Sequence, residues 1–231
     1  MDHYHRNFPS HQDKIWGEGS TTYTIAPHFN PEIWEMIYQY NPQMKLIYIA
    51  RNPIDRFVSH YMHLYQRGKT DFTIDEAVDK LPLPVDCGKY ATQIEPYLRR
   101  FGEKQVLLLR FEDFAKSQDE CFGRVCHFLN ISRNTNAGTP KLHLNKSLEE
   151  NITPHQYDKL ARSRLGTLLK KIIPGRLGKK ALIYWAGNRG RLLKLRPGLS
   201  SKSRENLAAI YLPEIEKLEA FTGWDLEGWK S

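Results

Sequence analysis

A chain of 231 residues, 26% charged and 40% hydrophobic, can bury one ordinary core and is too apolar for wholesale disorder. Its longest apolar runs, Leu46–Ala50 and Val106–Leu109, fall far short of the ~18 residues a membrane helix needs, and Met1–Asn7 has no apolar leader core. Cys87, Cys121 and Cys126 complete no disulfide framework and show no C-x-x-C spacing, which disfavours a zinc ribbon or thioredoxin motif and points to a reducing, cytoplasmic compartment. The net charge of +8 is uneven: residues 151–200 hold twelve Lys or Arg against one acid, Asp158, so that stretch carries +11 and the rest −3. A nucleic-acid-binding domain would spread its basic footprint over the fold, so nucleic acid is not an expected partner.

In chain order, Asn30-Pro31 followed by Ile33, Trp34, Ile37 and Tyr38 predicts a helix with an Asn cap and Pro at its first position. Lys45–Ala50 is a β-rich run without alternation, the pattern of a strand covered on both faces. It stops at Arg51-Asn-Pro53, and helical spacing resumes at once through Phe57, Tyr61 and Leu64. Thr73-Ile-Asp-Glu76 is a capping box, and Tyr90, Ile94, Tyr97 and Phe101 mark a helix containing Pro96. Gln105–Arg110 is a second buried-strand candidate, followed by a helix over Phe114–Leu129 with Phe122, Val125, Cys126 and Leu129 inward. Residues 132–150 are turn-rich, and the chain closes with an apolar stripe from Leu207 to Phe221. Strands alternating with helices predict an α/β layer architecture in a single domain over 1–231, with a basic helical excursion at about 151–200 and a C-terminal helix at about 203–222.

A strand feeding directly into a helix aims helix N–H groups and the positive dipole end at the sheet's carboxyl edge, which suits an anion. Arg51 stands at that junction, with Arg56 and the Ser59 hydroxyl within the following turns. No G-x-x-x-x-G-K-[ST] occurs, which disfavours a Walker-type nucleotide hydrolase.

Arg51-Asn-Pro-Ile-Asp-Arg-Phe-Val-Ser59 resembles the 3′-phosphate-binding motif of sulfotransferases that use 3′-phosphoadenosine 5′-phosphosulfate. Gly17–Tyr23, Gly88–Gln93 with Gln105–Asp113, and Tyr211–Leu218 with Thr222–Trp229 are similar to further segments of that family, in the same order, including bacterial members related to heparan sulfate sulfotransferases. The resemblance implies a three-layer parallel sheet of the P-loop-like type. It implies sulfuryl transfer from that nucleotide, without a metal, to a hydroxyl or amine of a glycan or small molecule. Arg51 and Ser59 would bind the 3′-phosphate, and Lys146 and Ser147 would belong to a loop closing over the nucleotide.

The departures set a second group of expectations. The family's first strand and its Lys- and Gly-containing 5′-phosphosulfate loop would precede Met1, so no catalytic residue is assigned and this chain is expected to be inactive alone. A truncated gene model or fragment accounts for that; a non-catalytic remnant that holds an anionic polymer or membrane surface is the alternative. Glu18 is a candidate base and a candidate cap. His60 and His63 share a helix face but lack a third metal ligand at telling spacing, so no metal site is expected. Residues 151–200 interleave cations with apolar side chains and fit an acidic-glycan groove, an anionic membrane surface, or a plain solvated face.

Overall fold

The computed structural model describes residues 15–67, 69–133 and 198–231. Among these, two strands, β1 (Leu46–Ala50) and β2 (Val106–Arg110), pair in parallel with Leu46 opposite Val106 and Ala50 opposite Arg110. Eight helices accompany them: α1 (Ile33–Tyr40), α2 (Pro53–Gln66), α3 (Ile74–Lys80), α4 (Pro82–Asp86), α5 (Tyr90–Phe101), α6 (Phe111–Lys116), α7 (Gln118–Leu129) and α8 (Ser201–Thr222). A parallel pair requires a crossover, and α2 to α5 supply it, so both strand ends open onto the same edge.

The local chemistry explains the boundaries. Pro53 has no N–H to lose at the first position of α2, and the Asn52 side chain accepts from the N–H groups of Ile54 and Asp55. Thr73 and Glu76 exchange both bonds of a capping box at α3. Asn30 makes its side-chain bond to the Glu32 N–H, and α1 starts at Ile33 after a turn that holds Pro31. The expected Phe114–Leu129 helix is two helices: Ser117 leaves helical geometry and its hydroxyl accepts from the Glu120 N–H, starting α7. On α7 Cys126 faces inward as expected, together with Cys121, and Val125 and Leu129 are half-buried, but Phe122, expected inward, is exposed.

The main core joins α2 (Ile54, Phe57, Tyr61) and α3 (Ile74, Ala77) to Leu207, Tyr211, Ile215 and Leu218 on α8. Those four recur at intervals of four, four and three along one stripe of α8, so the helix packs along its length. Ser200 caps it and donates its N–H and hydroxyl to Asp75 at α3. A second cluster sets Tyr97, Phe101 and Val106 against Ile33, Trp34, Ile37 and Tyr38.

The sheet departs from the expectation of two covered faces. Leu46, Tyr48 and Ala50 point toward the cores, but Ile47 is 41% and Ile49 50% exposed among the described residues. The helices that follow β2 pack on β2, where Leu109 is buried, and leave the same face of β1 open.

Candidate functional site

The corner between β1 and α2 is built from four distant parts of the chain. Arg51 and Asn52 lie past the strand ladder and before the first helical bond, so their N–H groups need other acceptors. The Arg51 N–H donates to the Tyr90 hydroxyl on α5 at 3.3 Å. The Asn52 N–H donates to Glu112 Oε1 on α6 at 2.9 Å. The Asn52 amide, while capping α2, also donates to the Gly228 carbonyl beyond α8 at 3.4 Å.

The Arg51 guanidinium lies over the Phe111 ring, 5.2 Å from its centroid, and bonds Asp55 Oδ2 at 3.2 Å. It is 29% exposed and Asp55 53%, so a solvated carboxylate faces one side of a half-sheltered cation. Ser59 is half-buried one turn beyond Asp55, on the same stripe of α2. Arg51 stands at the helix start, where the dipole favours an anion, and Ser59 lies further along α2 on the stripe of Asp55, the partner of Arg51. This donor set fits a phosphate group: a planar guanidinium fork, a hydroxyl and a positive helix end.

Behind the corner, on another stripe of α2, Arg56 and His60 form a second polar group. Arg56 Nη1 and His60 Nδ1 are buried without a hydrogen-bond partner among the described residues, as is Glu112 Oε2. Burial, then the charges of Arg56 and His63, lower the His60 pKa to about 4. Burial also raises Tyr48 to about 12 and pushes Tyr90 and Tyr211 upward, while the Arg56 charge pulls each the other way. These phenols stay protonated and serve as hydrogen-bonding groups.

The other sequence candidates separate. Glu18 accepts from the Tyr23 hydroxyl on an N-terminal arm. Gln93 clasps that arm through both backbone groups of Ala26, at 3.0 and 2.8 Å, and Asp86 bonds its His28 at 2.7 Å. No group of three metal-ligating side chains forms among the described residues, and His63 is exposed. Lys146, Ser147 and residues 151–197 of the basic segment lie outside the described residues. The sequence marked Tyr90 as a helix residue alone, and neither Tyr90 nor Glu112 as part of a site. They stand inside Gly88–Gln93 and Gln105–Asp113, segments noted for their order along the chain.

The comparisons fit this geometry. Residues 20–164 match the sulfotransferase domain family, so the chain belongs to it. Carbohydrate sulfotransferase 15 of Mus musculus is 24% identical over 123 residues, spanning 42% of this chain and 22% of that protein. Luciferin sulfotransferase of Photinus pyralis is 30% identical over 144 residues, 60% of this chain and 36% of that one. The chain therefore spans well under half the length of either relative. A sulfotransferase from Alicyclobacillus acidocaldarius, whose crystal structure is solved, superposes with a TM-score of 0.62 at 22% identity. It covers all of this chain, which covers 74% of it, and at that identity the likeness shows a shared α/β sulfotransferase-like fold. No described helix is long and apolar enough to cross a membrane.

Proposed function

We propose that this chain is the 3′-phosphate-binding portion of a sulfotransferase that uses 3′-phosphoadenosine 5′-phosphosulfate, with Arg51 and Ser59 holding the 3′-phosphate. The observation that carries the reading is the half-sheltered Arg51 guanidinium at the N-terminus of α2, facing an exposed carboxylate and stacked on Phe111 among the described residues. In the reaction, a hydroxyl or amine of a glycan or small molecule bonds to sulfur. The bond from sulfur to the bridging phosphate oxygen breaks, and the acceptor proton passes to a base. This chain's own share is to bind and orient the far end of the nucleotide, where binding energy fixes the position of the reacting end. The base and the cation that would meet the charge on the leaving oxygen have no assigned counterpart among the described residues. The open face of β1, where Ile47 and Ile49 stand exposed among the described residues, fits a covering helix, as in a sheet with helices on both faces. The full sheet is then the three-layer type.

The test is calorimetric titration with adenosine 3′,5′-bisphosphate. Arg51→Ala weakens binding by about 1.5–3 kcal/mol, the scale of a charged hydrogen bond, and Ser59→Ala by about 0.5–1.5 kcal/mol. Unchanged affinity in a folded Arg51→Ala protein overturns the assignment. A second reading rests on the +11 charge of residues 151–200: a binding module for an anionic polymer or membrane surface, without catalysis.

A further inference from the structure

We infer that Tyr90 and Glu112 are positioning residues for Arg51, setting the selectivity of the corner for a 3′-phosphorylated nucleotide; this rests on the reading of Arg51 given above. A guanidinium sits at the end of a long flexible stem, so its aim is set by where its main chain is held. The Asn52 carbonyl accepts the first bond of α2, from the Arg56 N–H at 2.9 Å, but the N–H groups of Arg51 and Asn52 are held by two distant side chains. Tyr90 is 3% exposed, and its ring is wedged between Tyr48 and Trp229, with centroids 6.0 and 6.1 Å away. Its hydroxyl is therefore a fixed acceptor for the Arg51 N–H.

Glu112 gives the second point. Its carboxylate takes the Asn52 N–H at 2.9 Å, and a charged acceptor makes that the stronger of the two bonds. The residue before it, Phe111, carries the Arg51 guanidinium over its ring. One dipeptide of α6 thus fixes the main chain of the corner and the plane of its cation together. Shifting either anchor re-aims the guanidinium away from the stripe of α2 that holds Asp55 and Ser59.

The readout is the ratio of affinities for adenosine 3′,5′-bisphosphate and adenosine 5′-monophosphate, measured by calorimetry on the whole chain. Only the first nucleotide has the group that Arg51 would meet. Arg51→Ala collapses the ratio and so tests the underlying reading on its own. Tyr90→Phe, which deletes one oxygen, and Glu112→Ala each lower the ratio by roughly 3- to 10-fold, the loss of about one hydrogen bond. Glu112→Gln keeps an oxygen for the Asn52 N–H and recovers most of the ratio. A purely structural role would lower both affinities together and leave the ratio unchanged. That outcome for Tyr90→Phe, with Arg51→Ala still collapsing the ratio, overturns the inference while the reading of Arg51 stands. If Glu112→Ala fails to fold, Tyr90→Phe decides. A parent that does not prefer the bisphosphate, or an Arg51→Ala variant that keeps the preference, overturns both.

Discussion

His60 is held neutral on α2, with its Nδ1 buried and unpartnered among the described residues and its pKa lowered to about 4 by burial, Arg56 and His63. In the unfolded chain the same imidazole titrates near 6.5. As pH falls below 6.5 the unfolded chain takes a proton that the folded one refuses, so stability declines from pH 6.5 toward pH 4 and levels off below. The contribution is about 1–2 kcal/mol once solvent screening of a partly exposed group is allowed for. His60→Gln should flatten the decline, read from urea unfolding at pH 4.5 and 7; equal slopes in the two proteins would exclude His60 as the cause. Exposed His63 is shifted down as well, by burial and then Arg67 and Lys69, and adds to the same trend. At this scale the place of Arg51 at the corner was legible, because a β-rich run that stops at Asn52-Pro53 puts it between a strand end and a capped helix; its binding role and that of Ser59 belong to the proposal. Tyr90 and Glu112 were not, since each meets the corner from 39 and 60 residues away and nothing local marks the contact.

Both strands, the capping box at Thr73 and the apolar stripe of α8 were legible as elements because each is written in a local period or cap. The open face of β1 was not, because a continuous apolar run states that a strand suits burial without naming what covers it. The break at Ser117 escaped for a related reason: a serine reads as a helix residue or as a cap, and packing on β2 decides. One close approach between elements was equally silent. A Cβ at Gly88 would lie 2.7 Å from the Tyr211 ring, which is fully buried and whose hydroxyl donates to the Val85 carbonyl at 3.1 Å. With the ring held at both ends, Gly88→Ala forces α5 and α8 apart and destabilises by about 1–3 kcal/mol. Chemical denaturation measures this, and a midpoint equal to the parent's would show that the ring can yield.

Over the whole molecule the charge is polarised, +11 in residues 151–200 against −3 elsewhere. Contact of that stretch with an anionic glycan or vesicle is screened over about 8–10 Å at 0.1–0.15 M salt, so such binding weakens steeply as salt rises. Nucleotide binding at the half-sheltered Arg51 responds less. Changing Lys170, Lys171, Lys179 and Lys180 to Gln should therefore reduce heparin retention or vesicle co-sedimentation while nucleotide affinity holds. Vesicles alone would also reward Ile172, Ile173, Leu182 and Trp185. Parental behaviour in both assays would make the segment a solvated face.

The bond from Asn52 to Gly228 spans 176 positions, and Arg110 reaches the Asp225 carbonyl across 115. A ribosome delivers the Arg51 corner well before these fastenings. In the interval the emerging polypeptide holds Asn52 without its Gly228 partner and Tyr90 without the Trp229 ring beside it. Loop closure over such separations is slow. The corner is therefore complete only once the segment after α8 has docked, and its maturation is timed by that segment, not by the motif that defines it.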